Sequence, residues 1–129
     1  VIGTGSAAPQ CIRTNEHISE IVDTTDEWIT TRTGIKERHV ITDETLTEIA
    51  AKAARLALED SGVKAEELDY IICATLRGDH ITPSLACEVQ KEISASCPAF
   101  DLNAACSGFL YCLEVAQSLF AAKREKRYL

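Results

Sequence analysis

Cys106 stands where the sequence changes from a short apolar strand to a helical pattern. Ala99–Leu102 form the strand signal behind Pro98, and the residues after Cys106 carry apolar side chains at helical spacing. A thiol in the first turn of a helix faces unpaired backbone N–H groups and the positive end of the helix dipole. Both favour the thiolate, which is the nucleophilic form of cysteine. The small side chains on either side leave room for a substrate carbonyl, so this stretch predicts covalent acyl transfer.

Trp28 and Arg32 form a second pair of side chains that could do chemistry. They lie four positions apart, so a helix places both on one face. Thr24 and Glu27 have the spacing of a capping box, which predicts that this helix begins just after Thr24. An indole and a guanidinium on one face can stack a base and hold a phosphate. A core tryptophan beside solvated basic side chains has the same spacing, so the spacing alone leaves both interpretations open.

The remaining cysteines and the glycines give no sign of a metal or dinucleotide site. No two cysteines have the C-x₂₋₄-C spacing of a zinc site, and no secretory signal accompanies them. We expect most of the cysteines to be reduced and buried, which favours a reducing compartment. Gly3 and Gly5 are too few for a phosphate-binding loop. The six cysteines are Cys11, Cys73, Cys87, Cys97, Cys106 and Cys112.

Capping residues and apolar periodicity predict the helices that position these groups. Asn15 is predicted to cap a helix over about residues 16–22. Thr45 and Glu48 form a capping box for a longer helix, which Gly62 ends in the left-handed conformation. The helix that follows Cys106 is apolar on nearly every side, and this pattern is typical of a buried helix.

Strand signals alternate with these helices. Residues 1–5 have the pattern of a strand that ends in a glycine turn, and residues 70–75 form an apolar run that suits a buried parallel strand. Pro83 predicts the start of a helix over about residues 84–94. Residues 123–127 are expected to close the last helix, and residues 128–129 to begin another strand. The alternation predicts an α/β layer with a parallel sheet.

Length and composition predict one globular domain over residues 1–129. Hydrophobic residues make up 46% of the chain and charged residues 26%, which excludes intrinsic disorder. The net charge of −7 disfavours a nucleic-acid partner, because such binding surfaces are basic. There is neither a signal peptide nor an apolar run of the roughly 20 residues that span a membrane, so we expect a cytoplasmic location. The sequence contains no methionine, and we expect that it is trimmed at the front.

Two stretches together resemble the β-ketoacyl-acyl carrier protein synthase III family. One is the sequence Asp23-Thr24-Thr25-Asp26-Glu27-Trp28-Ile29, continued by Arg32-Thr33-Gly34-Ile35 and Arg38. The other is the sequence Phe100-Asp101-Leu102-Asn103-Ala104-Ala105-Cys106-Ser107-Gly108-Phe109. The resemblance covers essentially the whole chain. It implies an α/β, thiolase-like fold, of which this chain would form the N-terminal βαβαβ half with a mainly parallel sheet flanked by helices.

The resemblance also implies an activity and roles for residues. The family condenses an acyl-CoA with malonyl-acyl carrier protein, releases CO₂ and so begins fatty-acid synthesis. Cys106 matches the acyl-accepting nucleophile and Trp28 the residue that stacks the CoA adenine, while Thr24 and Arg32 match polar contacts to the CoA nucleotide. Thr82 matches a loop position that reaches the partner subunit's acyl pocket. That position is often aromatic in the family and threonine is smaller, so we expect a roomier pocket. The resemblance also implies a homodimer. Coenzyme A is then a substrate thioester, and no permanently bound cofactor or metal is expected.

One departure from the family limits what the chain can do alone. The family uses a histidine and an asparagine from its second half, and neither the three histidines nor Asn15 and Asn103 lie in a matching motif. The chain is therefore expected to be incomplete, with its C-terminal half absent. Two alternatives stay open: a related thiolase-fold synthase of the 3-hydroxy-3-methylglutaryl-CoA or polyketide type, and a catalytically incomplete fragment. The three histidines are His17, His39 and His80.

Overall fold

The computed structural model describes residues 1–122, which form two compact units. One unit comprises Ala8–Glu44, and the other combines Val1–Ala7 with the chain from Thr45 onward. The single domain expected over residues 1–129 stays a prediction.

The smaller unit, Ala8–Glu44, is a two-stranded ribbon with two short helices between its strands. Strand β1, Cys11–Thr14, pairs antiparallel with strand β2, Glu37–Val40. Between them lie helix α1, Asn15–Ser19, and helix α2, Asp26–Thr33.

Helix α1 differs from the prediction in its length and its cap. It ends at Ser19 rather than near residue 22, and its N-terminal cap is Thr14 rather than Asn15. The backbone N–H of Thr14 donates to Nδ1 of His17 at 3.2 Å. Asn15 cannot serve as the cap because its carboxamide is turned inward, where it bonds to groups far along the chain.

The larger unit contains helix α3, Leu46–Ser61, then β3, Ile71–Ala74, α4, Leu85–Glu92, β4, Ala99–Leu102, and α5, Gly108–Ala121. Strands β3 and β4 are parallel, in a register that pairs Ile71 with Ala99 and Ala74 with Leu102. The predicted parallel pairing around a connecting helix is confirmed. A continuous core joins α3 and α4 to the strands; its buried members are Ala51, Ala54, Leu68, Ile71, Leu85, Ala86, Val89, Ile93 and Cys97.

Residues 1–9 form no strand, contrary to the prediction. Within the larger unit, the first residues lie along α3 instead, and the Thr4 N–H donates to Oδ2 of Asp60 at 2.8 Å. The two glycines permit this close approach: a Cβ on Gly3 would lie 2.6 Å from the carbonyl oxygen of Ala57, and Gly5 is equally confined. This segment meets the surface of a helix, not the edge of a strand, so it has no ladder to join.

Helix α5 is apolar as predicted but not buried. Only Gly108 and Cys112 of its residues are buried. Its large exposed side chains are Phe109, Leu110, Tyr111, Leu113 and Phe120. The predicted basic end at residues 123–127 and the strand at 128–129 lie outside the described residues. Within residues 1–122, no helix has the length and apolar character to cross a membrane.

Candidate functional site

Cys106 lies in a tight turn between β4 and α5. Ala105–Ser107 form a single 3-10 turn directly before the helix, so Cys106 precedes α5 rather than occupying its first turn as predicted. The backbone reverses direction here through Ala105, whose φ of +46° is in the left-handed region. An alanine there costs about 1 kcal/mol, because its Cβ crowds the backbone. Asn103 supports the turn, since its Oδ1 accepts from the Ala105 N–H at 3.3 Å.

Among the six thiols, all within the described residues, only Cys106 is classed as exposed. None of the six is in a disulfide. Burial raises the pKa of the Cys97 and Cys112 thiols. Burial, with a smaller contribution from the Asp101 carboxylate, raises the pKa of Cys73 to about 12. These three thiols are held in their unreactive protonated form, so solvent access sets Cys106 apart.

Two residues that the sequence analysis did not single out fix the elements around this turn. Asp101 lies within β4. Its carboxylate accepts from the N–H groups of Leu85 and Ala86 at 3.0 and 2.8 Å, so it helps to cap the N-terminus of α4. Gly108 is buried at the start of α5, where an added Cβ would lie 3.4 Å from Cβ of Ala74. The glycine lets α5 begin close against β3. An aspartate inside an apolar strand is unusual, and this was the sequence signal that Asp101 has a buried partner.

The smaller unit carries Trp28 and Arg32 on α2, as predicted. The guanidinium carbon of Arg32 lies 4.5 Å from the centre of the Trp28 ring, and the indole is 53% exposed. The core-tryptophan interpretation is therefore wrong for this unit. The predicted capping box is also wrong: the cap is Thr25, whose hydroxyl accepts from the Trp28 N–H at 3.1 Å. Thr24 is left free for another role.

A groove of about 500 Å³ opens beside the exposed indole. Its lining mixes apolar and polar side chains: Ile18, Val22, Asp23, Thr24, Thr25, Trp28 and Ile29. The Thr24 Oγ1 is buried and has no hydrogen-bond partner within residues 1–122. An unsatisfied buried hydroxyl costs about 1–3 kcal/mol, and a ligand in the groove could supply the missing partner.

The histidines in the described part of the chain are all engaged in contacts with other residues. No cluster of three or more His, Cys, Asp or Glu side chains suited to a metal occurs there. Each histidine has a partner of its own: His39 Nδ1 lies 2.6 Å from the Pro9 carbonyl oxygen, His80 Nδ1 lies 2.7 Å from Oε1 of Glu88, and His17 meets Thr14. Thr82 lies exposed in the loop between β3 and α4, and the roomier acyl pocket stays a prediction.

Comparison with known proteins relates the chain to one family. No family model matches the chain. The β-ketoacyl-[acyl-carrier-protein] synthase III of Clostridium acetobutylicum is 52% identical over the whole chain. The crystal structure of the 3-oxoacyl-[acyl-carrier-protein] synthase III of Aquifex aeolicus superposes on 95% of the chain with a TM-score of 0.91 and 50% identity, using 40% of that protein.

The chain belongs to the β-ketoacyl-acyl carrier protein synthase III family. The resemblance seen in the sequence motifs is thereby confirmed, and so is the thiolase-like α/β fold. The chain spans about 40% of the length of the curated relatives it matches. The priming β-ketosynthase of the R1128 polyketide pathway is also similar, with a TM-score of 0.85 and 38% identity over 90% of this chain and 35% of that protein.

Proposed function

We propose that this chain supplies the acyl-accepting part of a β-ketoacyl-acyl carrier protein synthase III, which condenses an acyl-CoA primer with malonyl-acyl carrier protein. The observation that carries the proposal is the coincidence of an exposed thiol, on a strained strand-to-helix turn, with 52% identity to a synthase of that name. The whole activity belongs to a longer, intact enzyme that contains this chain.

In the first half-reaction, the Cys106 thiolate attacks the carbonyl carbon of the acyl-CoA thioester. A C–S bond forms to Cys106, the C–S bond to CoA breaks, and CoA leaves as its thiol after taking up a proton. The N–H groups of Ala105, Ser107 and Gly108 already donate within the turn, so we assign stabilisation of the oxyanion to the N–H of Cys106.

In the second half-reaction, the malonyl group on the carrier protein loses CO₂, and its carbon attacks the acyl-cysteine. A C–C bond forms, the C–S bond to Cys106 breaks, and the free thiol is regenerated. The family resemblance assigns the histidine and asparagine of this step to residues outside the chain. We therefore expect that residues 1–129 alone accept an acyl group but do not complete the condensation.

Helix α2 and the neighbouring groove are proposed to bind the nucleotide of the acyl-CoA. An exposed indole offers a stacking surface for a base, and the Arg32 guanidinium offers charge for a phosphate. The buried hydroxyl of Thr24 lacks a partner that a ligand would provide. Stacking surface, positive charge and an unpartnered hydroxyl together support a nucleotide site here.

The family resemblance supports the remaining assignments. We propose a homodimer, no permanently bound cofactor, and the cytoplasm, whose reducing conditions suit six unpaired thiols. A priming synthase of polyketide type is the second candidate, favoured by the 38% identity to the R1128 enzyme. A competition between a fatty-acid malonyl carrier and a polyketide malonyl carrier tests the two candidates, since preference for the first supports β-ketoacyl-acyl carrier protein synthase III.

The Cys106→Ala variant of the intact enzyme tests the proposal. Intact-protein mass spectrometry after incubation with acyl-CoA is expected to show one acyl adduct on the wild type and none on this variant. Cys11→Ala, at a half-buried thiol in strand β1, is the matched control and keeps the adduct. An acyl adduct that survives in Cys106→Ala would sink the assignment.

A further inference from the structure

Asn15 is the one polar residue that the described part of the chain buries completely, with an exposed fraction of 0%. Its carboxamide nitrogen donates to Oδ1 of Asp26 at 2.7 Å and to the carbonyl oxygen of Ile35 at 2.8 Å, with Oγ1 of Thr30 farther off at 3.3 Å. Its Oδ1 accepts from Nη2 of Arg38 at 2.7 Å. The arginine can only donate and the carboxylate accepts, so these partners fix which end of the carboxamide points where.

These contacts hold a helix that has little apolar attachment. None of the eight residues of α2 is fully buried, and Ile29 is its one half-buried aliphatic side chain, so burial of apolar surface contributes little to its orientation. Asn15 bonds to the first residue of the helix, Asp26, to its middle at Thr30, and to Ile35 just beyond its end. One side chain thus fixes α2 along its length.

The other end of the network is anchored in the two-stranded ribbon. Arg38, on β2, donates to Oδ1 of Asn15 and also to the carbonyl oxygen of Arg13 on β1, at 3.2 Å. The Asn15 N–H donates to the carbonyl oxygen of Lys36 at 3.2 Å, directly before β2. Asn15 therefore links the position of α2 to the paired strands.

The geometry of a helix links these contacts to the proposed nucleotide site. Asp26 and Thr30 lie four residues apart and share one face, while Trp28 and Arg32 are each two residues further on. At about 100° per residue, an offset of two residues places the second pair roughly on the opposite face. Fixing the face that meets Asn15 therefore fixes the direction of the indole and the guanidinium.

We propose that Asn15 is a positioning residue for nucleotide binding: its buried carboxamide aligns α2, and thereby Trp28 and Arg32, with the nucleotide of the acyl-CoA. The inference rests on the proposed function of that helix. Asn15 is not among the residues that line the groove, and it acts through the orientation of α2 alone.

The test compares two acyl donors in the intact enzyme, acyl-CoA and acyl-pantetheine, which lacks the nucleotide. Asn15→Leu keeps the approximate size of the side chain but removes every hydrogen bond. We expect the KM for acyl-CoA to rise about tenfold with kcat held within about twofold, since only binding of the nucleotide is affected. The KM for acyl-pantetheine is expected to stay at the wild-type value.

Two further variants keep the test decisive. Asn15→Asp retains the acceptor for Arg38, loses the donors and sets a carboxylate against Asp26, so the same split in KM is expected even if Asn15→Leu folds poorly. Gln90→Met is the matched control, because Gln90 is a carboxamide that donates to the Cys97 carbonyl in the larger unit. It is expected to lower stability without raising either KM.

Three outcomes overturn the proposal. If the Asn15 variants raise the KM for acyl-CoA and the KM for acyl-pantetheine equally, Asn15 has only a structural role and the proposed function stands. The same conclusion follows if the Asn15 variants raise neither KM while Trp28→Ala raises the KM for acyl-CoA. If Trp28→Ala also leaves the KM for acyl-CoA unchanged, the nucleotide site on α2 and the role of Asn15 fail together.

Discussion

The exposure of Cys106 depends on one alanine in an unusual backbone conformation. Ala105, at φ +46°, turns the chain from β4 towards α5 and leaves the next side chain outside the sheet. Such a conformation persists only where the surroundings enforce it. Here the enforcing contacts are the Asn103 carboxamide on the Ala105 N–H and the close packing of Gly108 on Ala74. The strain is therefore built into the position that carries the proposed nucleophile.

The strain can be measured with a pair of glycine substitutions. Ala105→Gly removes the clash at positive φ, so we expect unchanged stability or a gain of up to about 1 kcal/mol, despite the greater entropy of the unfolded chain. Ala116→Gly, in the middle of the regular helix α5, relieves no strain and is expected to lose about 1 kcal/mol. Urea denaturation of the intact protein measures both. Equal destabilisation by the two substitutions would show that Ala105 is not strained.

At the scale of elements, the sequence predicted the cap of one helix and misplaced those of two others by one residue. Helix α3 begins at the predicted box, in which the Thr45 hydroxyl accepts from the Glu48 N–H at 3.1 Å, and it ends at Gly62 with φ +68°. Helix α1 is capped by Thr14 because Asn15 is used in the buried network instead. Helix α2 is capped by Thr25 rather than by the adjacent Thr24. Local spacing shows neither that a polar side chain bonds to distant residues nor which of two adjacent threonines is the cap.

The same limit applies to the candidate site. Cys106, Trp28 and Arg32 were identified because their motifs are contiguous, and the structure shows the first as an exposed thiol and the other two stacked. The contacts of Asp101 and Asn15 could not be predicted, because most of their partners lie 15 or more residues away. Contacts of that kind depend on the packing of elements, which a single sequence does not encode as a local pattern.

Asp79 caps the start of α3 from the loop that follows β3. Its carboxylate accepts from the N–H groups of Leu46 and Thr47 at 3.1 and 2.8 Å, and from the Thr47 hydroxyl at 2.6 Å. The Thr47 hydroxyl bond, followed by the backbone N–H bond, holds the pKa of Asp79 below its ordinary value. A lowered folded-state pKa contributes stability above the ordinary aspartate pKa of about 3.9, and this is lost as the pH falls through the folded-state value.

Asp79→Asn keeps one acceptor oxygen but loses the second and the negative charge at the N-terminus of α3. We therefore expect it to destabilise the protein at neutral pH by about 0.5 kcal/mol. The difference from the wild type should be constant above about pH 5 and should shrink below about pH 4, where the wild-type carboxylate becomes protonated. Chemical denaturation across this pH range provides the measurement. Asp43→Asn, at an exposed loop residue of the smaller unit, is the control and should show little difference. A difference for Asp79→Asn that persists unchanged at pH 3 would contradict the argument.

At the scale of the whole molecule, α5 presents large apolar side chains to solvent. Its five large exposed side chains include Leu113, which is 45% exposed, and Phe120, which is 53% exposed, seven residues further on and on the same helical face. Contiguous apolar surface of this kind marks a place where protein packs against protein. Relatives of more than twice this length have the additional chain with which to cover it.

Expressed as residues 1–129 alone, the chain is expected to self-associate, because contact between copies removes the α5 surface from water. Sedimentation velocity over a range of concentrations should show a dimer or larger species. Leu113→Lys places a charge in that surface and is expected to shift the equilibrium towards monomer. Leu56→Lys is the matched control, since Leu56 is a leucine of similar exposure, 38%, on helix α3, and it should leave the association unchanged. A wild-type chain that stays monomeric at all concentrations, or equal effects of the two lysines, would show that α5 does not drive association.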